Sequence, residues 1–275
     1  MQELKFHIDE SRCIRCGVCI RDCAPAILEF DPERGIPRVI PGTEAGCTRC
    51  QHCLAVCPRE AVSIFGRDPK KSIPRGPGPA PESMLSLIAN RRSVRSYRHE
   101  NLDGETIDKL KEMLSFVPTG VNSHTLHFAF VDEVAVMDSF RDYVAEKVAD
   151  MLADDPQNPF LTRMERYRKQ FAAGRDVIFR NAPHMVVAAA KIGTPAETQD
   201  PIIALSYFEL YAQSLGVGTL WCGLAQGALS FFPELMARLG LPEGWKASYC
   251  MLFGPANVRY PRAVQPDPVG IHSVK

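Results

Sequence analysis

The chain has 275 residues, is 45% apolar and 23% charged, and carries 32 basic and 32 acidic side chains for a formal net charge of zero. That size fits one small and one medium domain or a single large one, and the balanced charge gives no general attraction to nucleic acid or to an anionic membrane. No basic and apolar leader precedes the first cysteines, and no apolar run nears the roughly 18 residues of a membrane-crossing helix, so a cytoplasmic protein is expected, with neither membrane nor nucleic acid as partner.

The first elements in chain order are two Cys-x2-Cys-x2-Cys-x3-Cys runs, at Cys13, Cys16, Cys19, Cys23 and at Cys47, Cys50, Cys53, Cys57. A cubane iron–sulfur cluster needs one thiolate per iron, and one short loop can supply three of them. Zinc sites also use Cys-x2-Cys, usually as two separated pairs, and remain the alternative; a disulfide framework suits a small secreted chain instead. Pro58 follows the last Cys of the second run, whereas in the first run the proline is displaced to Pro25. This segment resembles bacterial two-cluster ferredoxins. The resemblance implies two 4Fe–4S clusters, one held by Cys13, Cys16, Cys19 and Cys57, the other by Cys47, Cys50, Cys53 and Cys23.

After Phe65 the composition changes. Residues 67–82 hold five prolines and two glycines, which disfavours helix and ladder and predicts a semi-extended linker between a domain at 1–66 and another at 83–275. Beyond it, helices are predicted at Ser83–Arg91 and at Asp103–Val117, the latter from Leu110, Met113, Leu114 and Val117 at three- and four-residue intervals. Leu126–Val131 and Met185–Ala190 read as buried strands. A helix is predicted over Asp200–Leu215, with Pro201 in its first turn, and Ser230 is placed as the cap of another. Trp245–Phe253 reads as a last strand before a Pro-rich tail. Helices outnumber strands without a regular βαβ alternation, so the fold class is α+β.

Three motifs carry chemistry in this second domain. Arg91, Arg92, Ser93 and Arg95 form a basic cluster suited to a phosphate, or else a solvated patch. Pro118-Thr119-Gly120-Val121-Asn122-Ser123 follows a helix and leads into a strand, where Asn122 could equally cap a turn. Leu215 to Gly223, with Trp221 and Cys222, follows the long helix. In this order and spacing the motifs resemble the nitroreductase family of FMN flavoproteins, over about residues 83 to 262. The resemblance implies a homodimer with FMN at its interface and a central sheet flanked by helices. It implies that Arg91, Arg92, Ser93 and Arg95 serve the FMN phosphate and ribityl chain, with Arg259 or Arg262 completing the phosphate site from the tail. Asn122 would bond the flavin edge, and backbone at Trp221, Cys222 and Gly223 would face the ring, the Gly223 N–H near N5. The family's frequent Asn-x-Gln-Pro-Trp is here Asn122-Ser123-His124-Thr125-Leu126, without the Pro and Trp.

The expected function is that of an FMN-dependent, nitroreductase-like oxidoreductase. Electrons would pass from a low-potential donor (a ferredoxin-like protein or NAD(P)H) through both clusters to FMN and on to a small organic acceptor of nitro, quinone or ene type. No G-x-G-x-x-G follows a strand, so no separate dinucleotide site is indicated, and no catalytic nucleophile or triad is expected because flavin N5 carries the chemistry. The alternative is an electron carrier or redox sensor with no small substrate. Cys222 and Cys250 are expected to be core thiols. His124 and His127 read as ordinary surface or core histidines, and Phe160, Tyr167 and Phe171 as either a pocket wall or a packing face.

Overall fold

The computed structural model describes residues 3–155, 157–164, 167, 169–170 and 173–274. They form two compact units, the residues up to Gly78 together with Val121–Ser123, and Pro79–Gly120 together with the residues from His124 onward.

In the first unit β1 (His7–Ile8) runs antiparallel to β4 (Val62–Ser63), while β2 (Leu28–Phe30) pairs with β3 (Pro37–Val39). Two single-turn helices, α1 (Val18–Arg21) and α2 (His52–Ala55), lie at matching places in the two cysteine runs. The backbone repeats with them. Arg15 and Arg49, Gly17 and Gln51, and Ala26 and Glu60 are three matched pairs, all at positive φ. Most residues resist that conformation by roughly 1–2 kcal/mol, so five non-glycine residues held there mark a loop shape imposed by something other than propensity. The core beneath is thin, built on Ile8, Cys19, Ile36 and Val62.

The second unit opens with α3 (Pro81–Asn90), led by a proline where a first turn tolerates one. Then comes α4 (Gly104–Met113), capped by the Asp103 carboxylate, which accepts the Thr106 N–H at 2.8 Å. After β5 (Leu126–Val131) follow α5 (Val134–Asp154), α6 (Pro159–Arg163), β6 (His184–Lys191), α7 (Asp200–Ser214) and β7 (Val217–Trp221). The unit closes with α8 (Gly223–Phe231), α9 (Pro233–Arg238) and β8 (Trp245–Pro255). The four strands form one antiparallel sheet in the order β5-β6-β8-β7.

The central strands explain the continuous apolar run in the sequence. Met185 and Val187 of β6 enter one core with Phe140 and Val144 of α5 and Ala225 and Leu229 of α8. Val186 and Ala188 enter the opposite core with Leu110 of α4 and Leu205 and Phe208 of α7. A strand covered on both faces has no polar side to alternate with.

Three expectations need correction, and one helix was not expected. Ser230 caps nothing: it lies in the last turn of α8, its Oγ donating to the Gln226 carbonyl, and α9 starts after Phe232. The helix over Asp103–Val117 is α up to Met113 and then a 3-10 turn, Leu114–Phe116. The proline-rich stretch is not uniformly extended, since Asp68 caps a 3-10 turn at Pro69–Lys71 and Pro81 already opens α3. Finally, α5 was not foreseen.

His184 is fully buried at the start of β6, where its Nε2 accepts the Leu102 N–H at 3.0 Å and its ring lies 5.2 Å from that of Phe253. Burial pushes its pKa from 6.5 down to about 4, partly opposed by Asp132 and Glu133. The unfolded chain therefore takes up a proton at this residue that the folded chain refuses between those values, so stability falls as pH drops through that window. By linkage the cost at pH 5 approaches about 2 kcal/mol. Urea unfolding followed by the fluorescence of Trp221 and Trp245 should show a pH 7 to pH 5 loss that shrinks in His184→Gln; an unchanged loss would sink this assignment.

Candidate functional site

Eight cysteines of the first unit sort into two cavities. Cys13, Cys16, Cys19 and Cys57 line one, and Cys23, Cys47, Cys50 and Cys53 line the other. The last cysteine of each run thus crosses to the other set, because α1 and α2 turn the chain back after the third. Backbone N–H groups already point at sulfur: Ala61 donates to Cys57 Sγ at 3.2 Å and Arg49 to Cys47 Sγ at 3.4 Å. Burial, then the neighbouring Cys57, pushes the Cys19 thiol up to about 11, and burial pushes Cys53 up to about 12 with Cys50 and Cys47 adding to it. Four crowded sulfurs in an apolar hollow are poor thiolates on their own and need a cationic centre to share. An all-sulfur donor set with N–H donors on the sulfurs fits an iron–sulfur cluster.

In the second unit, residues 93–98 dock along the sheet and bring two motifs together. The Val94 N–H donates to the Thr219 carbonyl at 2.8 Å, which lays Ser93 parallel to β7. Val94 packs where Gly218 has no side chain; a Cβ there would come within 2.9 Å of it. Further on, Arg98 donates to the Pro255 carbonyl at 2.9 Å and Asn257 donates back to Ser96 at 2.9 Å. Arg95 therefore sits between β7 and the start of the tail that carries Arg259 and Arg262, both exposed.

The three arginines of the cluster divide their work. Arg91 pairs at 3.1 Å with Glu209 of α7, a buried acid whose other oxygen accepts the Trp221 indole N–H at 3.0 Å. Arg92 donates to the Ala89 carbonyl at 2.9 Å and to the Arg91 carbonyl, finishing α3. Among the described residues Arg95 bonds only its neighbour, the Ser93 carbonyl, at 3.2 Å. Of the three, Arg95 keeps the most donor capacity for a ligand. Sequence reasoning missed Glu209, although an acid in the apolar stripe of Ala204, Leu205, Phe208 and Ala212 was the available signal.

Cys222 is buried and leads into α8. Its Sγ donates to the Ile178 carbonyl at 3.2 Å, and burial pushes the thiol up against the N–H groups of Ala225 and Leu224 and the Arg180 cation. Gly223, exposed, is the first residue of α8, and an N–H there has no carbonyl within the helix to bond. Two buried polar atoms flank this motif without a partner among the described residues: Tyr97 Oη beyond Arg95, and Gln226 Oε1 one turn into α8. Orphaned polar atoms, the unbonded Gly223 N–H and an uncommitted arginine fit a polar, anionic cofactor.

Asn122 lies in a strained loop, with Val121, Asn122 and His124 at φ 49°, 54° and 51°. The Gly120 N–H anchors the loop from before, donating to both oxygens of the buried Asp200 at 3.0 Å. Within the first unit Asn122 Nδ2 donates to the Thr48 carbonyl at 3.0 Å, leaving one amide hydrogen and the amide oxygen for a ligand. A β-branched residue at positive φ is rare enough to point to function.

The remaining expectations fall as follows. Cys222 and Cys250 are buried. Phe160 is a packing residue, its ring 5.0 Å from Phe231 and 5.3 Å from Phe232. Tyr167 is half-buried under Arg180, and Phe171 lies outside the described residues. His127 is half-buried with its ring 5.6 Å from Trp245, and His124 sits in the strained loop. Beside Arg95 lies a cavity of about 1060 Å³ between α5 and residues 174–181.

Comparison with known proteins places both units. The profile described as the nitroreductase family matches residues 88–255, and that of a 4Fe-4S dicluster domain matches residues 12–72. A nitroreductase with bound FMN from Desulfitobacterium hafniense DCB-2 is 28% identical, covers 70% of this chain and 98% of its own, and superposes with a TM-score of 0.55. A second, from Bacteroides fragilis NCTC 9343, is 22% identical over 69% of this chain and 98% of its own, with a TM-score of 0.54, and shows the fold. The ferredoxin of Moorella thermoacetica is 36% identical over 64 residues, 22% of this chain and 95% of its own. The chain spans only 7% and 12% of the length of two larger curated relatives that it matches over 72 and 64 residues.

Proposed function

The chain belongs to the nitroreductase family and carries a 4Fe-4S dicluster domain ahead of it, and from that premise we propose that it is an iron–sulfur flavoprotein oxidoreductase. On this reading it takes electrons from a low-potential donor through two clusters to FMN and reduces a small organic acceptor of nitro, quinone or ene type. The observation that carries the reading is the presence, in one chain, of two complete four-cysteine cavities and of an uncommitted Arg95 on the segment that docks along β7. Bound FMN supplies the change of electron number, accepting electrons singly and delivering them as a pair.

The chain's own residues supply the rest. Arg95 and Ser93, with Arg259 or Arg262 from the tail, would hold the phosphate, and Arg95 would also favour negative charge on the reduced ring. Glu209 fixes Arg91 and Trp221 and so sets the backbone entering Gly223, whose N–H would donate to the ring nitrogen that exchanges hydride. Asn122 would donate its remaining amide hydrogen to the ring edge. The proposed domain limits are 1–66 for the cluster domain, 67–82 for the joining stretch, whose end already belongs to α3, and 83–275 for the flavin domain.

A homodimer is part of the proposal. Leu85 and Ile88 of α3 and Ile203, Tyr207 and Tyr211 of α7 are apolar, at helical spacing, and between 36% and 65% exposed. Such a stripe on two adjacent helices is what a subunit interface covers. No helix is long and apolar enough to cross a membrane among the described residues, in keeping with a cytoplasmic setting. The match to the nitroreductase family favours an enzyme over an electron carrier without a small substrate.

The test is anaerobic purification with iron, sulfide and flavin analysis, followed by stopped-flow reduction with a reduced ferredoxin. Flavin bleaching by that donor should slow by at least about tenfold in Cys13→Ser/Cys16→Ser, since the electrons lose their entry. Bleaching at the wild-type rate would break the proposed wiring, and a protein without flavin absorbance would end the reading altogether.

A further inference from the structure

The cavity of about 1060 Å³ takes Arg95 from the candidate flavin residues but none of its wall from Asn122, Trp221, Cys222 or Gly223. It is a space beside that site rather than the site itself. One wall is apolar, from Val144, Val148 and Leu152 of α5, and is met by Val177 and Ile178 across the gap. The other groups are dominated by arginine: Arg95, Arg141, Arg175 and Arg180 line it, against Asp142 and Asp176.

Partner accounting sharpens the imbalance. Arg141 is committed, donating to the Ala182 carbonyl at 2.8 Å and pairing with Asp138. Asp176 is committed too, its carboxylate accepting the N–H groups of Ile178 at 3.1 Å, Phe179 at 2.8 Å and Asn181 at 2.9 Å. Arg175 and Arg180 have no carboxylate within ion-pair distance among the described residues, Arg180 resting over the Tyr167 ring at 5.8 Å. Among the described residues of the wall, Asp142 is the one acid left to oppose them.

The same carboxylate shapes the segment. By gathering three N–H groups, Asp176 closes a tight turn in which Arg180 and Asn181 both sit at positive φ, 55° and 53°. Two adjacent non-glycine residues in that region cost on the order of 1–3 kcal/mol each, and strain of this kind is kept where it places a side chain for use.

We propose that this cavity binds an organic anion, a molecule with an apolar body and an oxyanion group that the guanidinium forks of Arg175 and Arg180 receive. The apolar wall accommodates the body, and the volume suits a small ligand rather than a bare ion. Carboxylate and phosphate both match the fork. That the bound anion is the acceptor rests on the FMN reading above; the anion preference itself does not.

The test uses three fluorescent probes on the purified holoprotein: naphthalene-2-carboxylate, 2-naphthyl phosphate and the neutral 2-naphthalenemethanol. At least one anion should bind about tenfold or more tightly than the alcohol, the gap expected of one charge-assisted contact, and the stronger of the two identifies the oxyanion. Arg175→Met/Arg180→Met should bind all three alike with its flavin absorbance intact, and Arg175→Met alone, at an exposed position, should lose part of the gap. An alcohol bound as tightly as both anions, or a gap that survives in Arg175→Met and in the double variant, overturns the proposal. Because the readout is binding, a protein that shows the preference but purifies without flavin would count against the FMN reading alone.

Discussion

Replacing Cys57 by Ala should cost the protein one cluster and leave the other, with roughly half the iron and sulfide remaining after anaerobic purification. The lost cluster should be the one whose other ligands are Cys13, Cys16 and Cys19, because Cys57 lines their cavity and not that of its own run. Double replacements read this directly. Cys57→Ala with Cys13→Ala should lose no more iron than either alone, whereas Cys57→Ala with Cys47→Ala should lose nearly all of it. A pairing by run would exchange the two results, and that exchange would rule out cross-ligation. The effect on the first unit should be large, since its core is thin and metal binding contributes to folding where apolar burial is short.

Glu209→Ala should weaken the fold of the second unit and its candidate flavin site together. It leaves the Arg91 guanidinium and the Trp221 indole N–H without the acid that now receives both. A broken buried pair costs about 3–5 kcal/mol; with Arg91 about one-third exposed we expect about 2–3 kcal/mol, or about 5–10 °C in Tm. FMN should be held about tenfold more weakly, because both freed groups belong to segments assigned to its site. Thermal unfolding by tryptophan fluorescence and flavin retention on desalting measure the two losses. Arg91→Met/Glu209→Met should recover part of the stability lost in Glu209→Met, since an apolar pair replaces a stranded charge. If the single losses simply add, Arg91 and Glu209 do not act as a pair.

The two sets of four cysteines were legible because the spacing within each run is the one a cube-shaped cluster would require, which tolerates little variation. Strands β5, β6 and β8 and helix α7 were legible for a different reason: long apolar runs bounded by turn residues have few other uses. What sequence could not reach depends on partners far along the chain. The burial of Glu209 follows from α3 and β7 closing over it, and the commitment of Arg91 follows from that burial. Helix α5 was missed although Met137, Phe140, Val144 and Val148 recur at three- and four-residue intervals, the spacing of a buried helical stripe. Ser230 looked like a cap because Ser before Phe-Phe-Pro-Glu suits one, yet Phe232 takes that position and Ser230 stays in the preceding helix. The repeated left-handed residues in the two cysteine runs were equally hidden, since Arg15, Arg49 and Gln51 carry no preference for that conformation.

The docking of residues 93–98 also fixes an order of events in the making of the molecule. Ser93 is held by Thr219, and Ser96 and Arg98 by Asn257 and Pro255, so the segment reaches its place only when β7 and β8 exist. A nascent chain that has just left the ribosome tunnel at Arg95 has nothing to lay it against. The first unit is under no such delay, because all eight cysteines have emerged by Cys57. Contacts so distant in sequence form late. Iron can therefore be loaded during translation, while a flavin must wait for nearly the whole second unit to be synthesised.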